Sequence, residues 1–167
     1  LVATRAITMD ENNRAIGMFP YAFAHEEICA RPWRGFYFPH PSWMGKIEWF
    51  RKYRYMVPGP YFCEDQELLL RAHRTSQFAT VNEVLFAYRI RLKINWRKLL
   101  KTRMTLLHIQ LDQFIESRQW GCMMMALITA MARLFRDSAQ IFYRQRPQAI
   151  PSHVLRKWQE VLNTISG

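Results

Sequence analysis

The stretch "YFCEDQELLLRAHR", residues Tyr61–Arg74, sets two adjacent carboxylates, Glu64 and Asp65, in front of a run of leucines. Negative charge at a helix N-terminus is stabilised by about 0.3–1 kcal/mol, because unpaired backbone N–H groups and the helix dipole favour it. Leu68 and Leu69 would then belong to the inner face of that helix. The spacing therefore predicts a helix that begins at the acidic pair.

The same pair also fits a catalytic role. A carboxylate that helix N–H groups hold beside a cleft can take a proton from a hydroxyl group. Two adjacent carboxylates cannot both point into one cleft, so one of them would act as the base and the other would orient it or bind a partner. The spacing leaves the structural and the catalytic interpretations open.

Composition limits the class of protein. The 167 residues are 50% hydrophobic and 14% aromatic, which excludes a disordered chain. The 24 Lys and Arg against 13 Asp and Glu give a net charge of +11, which favours an anionic partner. The three cysteines, Cys29, Cys63 and Cys122, are far apart and form no CxxC pair. They predict neither a zinc site nor a disulfide framework, and a reducing compartment is the simplest interpretation.

The first 95 residues alternate between strand-like and helix-like patterns. Turn residues at Asp10–Asn13 separate two apolar stretches, which predicts a strand, a turn and a second strand. Two prolines and a glycine predict a loop at Val57–Tyr61. The remaining expectations are a short helix ending near Pro32, an aromatic strand in "GFYFPHPSW", a helix from Met44, and two short strands within Gln77–Ile90 broken near Asn82.

The charge and the pattern of apolar residues change near residue 95. Val84–Leu111 contains no acid but seven Lys or Arg residues, and apolar residues then recur at helical spacing. Trp120–Phe135 has an uncharged apolar centre that is too short to cross a bilayer and suits a buried or interfacial helix. Ser152 is a candidate N-cap for a last helix. We therefore predict an α/β region at 1–95 and a basic, amphipathic helical extension at 96–167.

Three motifs occur in a particular order within the first region. They are His40–Pro41–Ser42, then Glu64–Asp65 followed by Leu68 and Arg71, then Leu85 followed by Tyr88–Arg89. This order and spacing resemble the acceptor half of family-2 glycosyltransferases, which have the Rossmann-like GT-A fold. The resemblance covers residues 1–95 and implies an α/β fold class, the C-terminal portion of a GT-A domain followed by amphipathic helices.

The resemblance implies roles for the two adjacent carboxylates. Asp65 would be the catalytic base that deprotonates the acceptor hydroxyl, with inversion at the anomeric carbon of the sugar, and Glu64 would help to shape the site. His40, Trp43 and Arg71 are candidate substrate-binding residues. Each has a structural alternative, in which His40 caps a loop, Trp43 packs in the core and Arg71 pairs with a nearby carboxylate. The implied substrates are a nucleotide-sugar donor and a glycan or lipid-linked acceptor.

The sequence departs from the family in its donor half. Members hold a divalent metal, Mg²⁺ or Mn²⁺, with an Asp-x-Asp motif, and none occurs in these 167 residues. The chain also begins at Leu1 in the middle of a pattern. We therefore expect a fragment of a longer enzyme, inactive alone, with no metal or other cofactor site of its own and a divalent metal in the intact enzyme.

The basic extension suggests where the protein acts. Lys and Arg beside apolar helices predict peripheral attachment to the inner face of the plasma membrane and a cytoplasmic location. The alternative is a basic nucleic-acid- or membrane-binding module without enzymatic activity, although no helix-turn-helix, zinc-finger or RNA-recognition signature is present. A third possibility is a structural fragment whose helices pack on a partner protein.

Overall fold

The protein is a mixed α/β structure. A computed structural model describes residues 1–90, 95–139 and 150–166, and within them a three-stranded sheet is accompanied by six α-helices. The strands are β1 (Val2–Met9), β2 (Ala15–Met18) and β3 (Ala79–Arg89); the helices are α1 (His25–Cys29), α2 (Ile47–Lys52), α3 (Glu64–Ala72), α4 (Trp96–Glu116), α5 (Trp120–Ala139) and α6 (Ser152–Ser166). Single 3₁₀ turns occur at Pro32–Arg34, His40–Ser42 and His73–Thr75.

The first two strands form the predicted hairpin. The sheet order is β2-β1-β3, with β1 antiparallel to β2 and parallel to β3. In the turn, the Asp10 carboxylate accepts the N–H groups of Asn12 and Arg14 at 2.9 and 2.8 Å. The Arg89 guanidinium, at the end of β3, donates to the Asp10 carbonyl at 3.1 Å and to Asn13 Oδ1 at 2.6 Å. Arg89, the last residue of the third motif, therefore ties β3 to the hairpin turn.

The expectation of two short strands within Gln77–Ile90 is wrong, because β3 is one strand of 11 residues. The expected break appears as a bulge. Thr4 pairs with Val81 and Arg5 with Val84, so that Asn82 and the next residue fall outside the register. The side chain of Arg5 donates to Asn82 Oδ1 at 2.9 Å, which stabilises the bulge.

The predicted aromatic strand in "GFYFPHPSW" is also wrong. Pro39 and Pro41 lack backbone N–H groups, so this segment cannot extend a ladder, and it ends in the 3₁₀ turn His40–Ser42. The backbone of Phe36 instead pairs with a side chain of α3. The following helix, α2, begins at Ile47 rather than at Met44.

One hydrophobic cluster joins the sheet region to the first two long helices. Phe36, Phe38 and Leu69 are buried, and Phe114 of α4 and Ala126 of α5 belong to the same cluster.

Polar contacts strengthen the packing of these helices. The Gln110 amide of α4 donates to the Pro32 carbonyl at 3.0 Å, and Arg103 of α4 pairs with the buried Asp137 of α5 at 3.0 Å. A second, smaller cluster packs Val154 of α6 against β1 and β2. In the described part of the chain, no helix has the length and apolar character that crossing a membrane requires.

Candidate active site

The acidic pair lies where the sequence predicts it, since α3 begins at Glu64. The preceding residue, Cys63, provides no side-chain cap for the helix, and its thiol donates to the Thr102 carbonyl at 3.6 Å. Asp65 Oδ1 accepts the N–H of Gln66 at 2.8 Å, so a carboxylate of the first turn satisfies one of the unpaired donors. Burial and the negative charges of Asp65 and Glu64 raise the pKa of the Cys63 thiol to about 11, so it is not a nucleophile at neutral pH.

The three motif elements meet at one cleft of about 260 Å³. His40 of the first motif, Glu64 and Asp65 of the second and Tyr88 of the third all line it. The other lining residues are Phe19, Phe36, Phe38, Pro39, Pro41, Phe62 and Gln66. The cleft therefore sets two carboxylates and an imidazole against largely aromatic walls.

A side-chain clamp fixes the start of α3 beside this cleft. Gln66 Oε1 accepts the N–H of Phe36 at 2.7 Å, and Gln66 Nε2 donates to the Phe36 carbonyl at 3.1 Å. Gly35 has φ +74°, and a Cβ there would lie 2.6 Å from Gln66 Oε1, so glycine both permits the backbone turn and makes room for the amide. The clamp holds Asp65, the neighbour of Gln66, at a set distance from the Phe36 segment.

His40 is held by two aromatic residues. Its Nε2 lies 2.7 Å from the Tyr55 hydroxyl, and its ring stacks edge-on against Trp43 with centroids 4.7 Å apart. Burial, followed by the charges of Asp65 and Glu64, raises the pKa of Tyr55, so it remains a neutral phenol at physiological pH. Sequence reasoning missed Tyr55, because no pattern marks a tyrosine 15 residues after a histidine as its partner.

Trp43 packs against neighbouring residues and also lines a second cavity. Its Nε1 donates to the Phe38 carbonyl at 3.2 Å, and its ring packs edge-on against Trp49. It also lines a neighbouring cavity of about 410 Å³ that shares His40 with the first cleft. The other walls of this cavity are Phe50, Tyr53, Arg54, Tyr55 and Leu68.

Arg71 lines a different cavity, of about 620 Å³. Its guanidinium binds both carboxylate oxygens of Glu67, at 2.7 and 3.0 Å, and donates to the Arg54 carbonyl at 2.8 Å. The expected pairing with a nearby carboxylate is therefore observed. Contact of Arg71 with substrate stays a prediction, and the cleft that holds Asp65 does not include this residue among its walls.

The structure was searched for side chains that could bind a metal ion. Across 1–90, 95–139 and 150–166, no group of three His, Cys, Asp or Glu residues could hold an ion. The divalent metal of an intact enzyme stays a prediction.

Comparison of the chain with protein-family models, with curated proteins and with solved structures found no match. The resemblance to family-2 glycosyltransferases therefore rests on the ordered motifs of this sequence.

Proposed function

We propose that this chain forms the acceptor side of an inverting glycosyltransferase of the GT-A fold, with Asp65 as the general base. The observation that supports the proposal most directly is the cleft that His40, Glu64 and Asp65 share. His40 lies 24 residues before the Glu64–Asp65 pair in sequence, and the family resemblance selects the same three residues. The donor-binding half would be supplied by residues outside this chain.

Asp65 is the better base of the two carboxylates. It is partly buried, and one of its oxygens already accepts a backbone N–H of α3, which fixes the orientation of the group. The other oxygen can then accept a hydrogen bond from an acceptor hydroxyl. Glu64 is exposed at the rim and is better suited to binding a second hydroxyl of the acceptor sugar.

The reaction step uses these residues as follows. The Asp65 carboxylate takes the proton of the acceptor hydroxyl while the hydroxyl oxygen attacks the anomeric carbon of the donor sugar. The bond from that carbon to the nucleoside diphosphate breaks, and its electron pair leaves with the phosphate. In-line attack inverts the configuration. His40, held by Tyr55, orients the acceptor through a hydrogen bond.

The size of the cleft limits what it can hold. Pockets for drug-sized ligands occupy about 300–1,000 Å³, whereas this cleft measures about 260 Å³. One sugar ring fits this space, and its C–H faces suit the phenylalanine walls.

The three cysteines that the structure describes are free, which is consistent with the cytoplasmic location that we propose.

The test uses the complete reading frame that contains this chain. Transfer from UDP- and GDP-sugars to glycan and lipid-linked acceptors is measured for the wild type and for Asp65→Asn. We expect a loss of about 10²–10⁴-fold in turnover, which is the contribution of a positioned general base. Donor binding by calorimetry should be unchanged, because Asp65 contacts the acceptor.

Glu83→Gln is the matched control, since Glu83 is an exposed acid at the β3 bulge, away from the cleft. It should retain wild-type turnover. If Asp65→Asn keeps turnover within a few-fold of Glu83→Gln, Asp65 is not the base. If no donor sugar is transferred by the wild-type reading frame, the proposed function fails.

A further inference from the structure

Helix α5 presents an apolar face that the described residues leave uncovered. Its outward side chains are Trp120, Met124, Ile128, Met131 and Phe135, and each keeps between 52% and 80% of its surface exposed. At 3.6 residues per turn these five positions fall within an arc of about 80° and extend over about 22 Å. Soluble surfaces rarely align so many large apolar side chains, and such a patch marks an interaction site.

The opposite face of α5 accounts for the orientation of this patch. Ala126 and Asp137 are buried against the rest of the protein, Asp137 pairs with Arg103 of α4, and Arg133 donates to the Arg34 carbonyl at 2.6 Å. These contacts hold the helix in place, so the apolar face must point outward. The patch is therefore a fixed feature of the fold and not the result of a loosely packed helix.

Charge indicates what covers the patch. Asp137 is the single acid of α5, and its charge is buried and paired. The first two turns of α4 expose Arg97, Lys98 and Lys101, within a stretch of sequence that lacks acids. A second copy of the chain would bring another net charge of +11 close by, which is repulsive, whereas an anionic lipid surface is complementary to it.

We propose that the outward face of α5 docks on an anionic lipid surface, with the helix lying in the plane of the interface. The side chains suit this occupant. Trp120 at one end has an amphipathic ring that favours the headgroup level, and the methionines adapt to fluid acyl chains. The helix would enter to a depth of about 5–10 Å, as interfacial helices do.

The test is flotation with phosphatidylcholine vesicles that contain or lack phosphatidylglycerol. The wild-type chain should float with the anionic vesicles and more weakly with the neutral ones. Met131→Ser with Phe135→Ser should lower lipid partitioning at least about tenfold, because two large apolar side chains lose their burial. Met44→Ser with Leu85→Ser is the matched control, since it removes two exposed apolar side chains elsewhere and should float like the wild type.

Two further measurements keep the proposal open to refutation. Circular dichroism checks that the α5 variant remains folded. If it does not, quenching of tryptophan fluorescence by brominated lipid is measured for the wild-type chain and for Trp120→Phe. The Trp120→Phe variant should lose one quenched component of the fluorescence. The proposal is overturned if the wild type does not float, if the α5 and control variants float equally, or if quenching is unchanged by Trp120→Phe. It is also overturned if the wild type binds random DNA but no lipid, or forms a dimer that the α5 variant abolishes without any lipid binding.

Discussion

Replacing Gln66 by methionine should destabilise the protein and loosen the candidate active site. Methionine keeps the length and approximate volume of the side chain but removes both hydrogen bonds to Phe36. The N–H and carbonyl of Phe36 would lose their partners in a segment where Phe36 itself is 5% exposed. A buried group without a partner costs about 1–3 kcal/mol. Since water can reach part of this site, we expect a total loss of about 2–4 kcal/mol in the free energy of unfolding.

Urea unfolding followed by tryptophan fluorescence measures this loss. With a slope of about 2 kcal/mol per molar, the midpoint should fall by about 1–2 M. Gln77→Met is the matched control, because Gln77 is exposed and its change should stay within about 0.5 kcal/mol of wild type. Equal midpoints for Gln66→Met and Gln77→Met would show that the clamp contributes nothing, and the positioning of Asp65 would then need another explanation.

Three further outcomes are expected from the same unfolding assay. Gly35→Ala should lower the free energy of unfolding by about 1–3 kcal/mol, because an alanine is strained at the positive φ of this position. The loss should be smaller in a Gln66→Ala background, where the new Cβ no longer lies 2.6 Å from Gln66 Oε1. Phe114→Ala should lower the free energy of unfolding by about 3–5 kcal/mol, because Phe114 is fully buried. Ile115→Ala is the control and should lower it by less than about 1 kcal/mol, because Ile115 is 49% exposed. Two separate unfolding transitions in Phe114→Ala would show that α4 unfolds independently of the rest. Burial lowers the pKa of His73 below its ordinary 6.5, so the unfolded chain binds a proton that the folded chain does not. Stability should therefore decrease as pH falls below about 6.5, and His73→Asn should remove that part of the pH dependence; an unchanged pH profile in His73→Asn would contradict the assignment.

Local signals in the sequence were enough for the elements that depend on local chemistry. The hairpin follows from turn residues between apolar stretches, and the start of α3 follows from carboxylates before a leucine run. The segment at Phe36 could not be predicted in the same way. Its backbone partner is a side chain 30 residues later, and alternating aromatic residues look like a strand whichever group satisfies the backbone.

The candidate site, too, could be predicted from the sequence only in part. The motif order brings His40, Glu64 and Asp65 to one cleft, but no spacing rule reveals that Tyr55 holds His40. The pairing of Arg71 with a nearby carboxylate was predictable, because Glu67 lies four residues earlier on the same face of α3 and binds the guanidinium with both carboxylate oxygens.

The structural and the catalytic interpretations of the acidic pair are compatible, and one variant separates their contributions. Asp65 accepts a helix N–H with one oxygen, and in the proposed reaction the other oxygen would accept the substrate hydroxyl. Asparagine at this position can still accept the N–H, so Asp65→Asn should lose only the charge interaction with the helix, about 0.3–1 kcal/mol of stability. It cannot take a proton, so turnover should fall by about 10²–10⁴-fold. A stability loss without a turnover loss would leave Asp65 as a helix cap, whereas the reverse pattern requires a base.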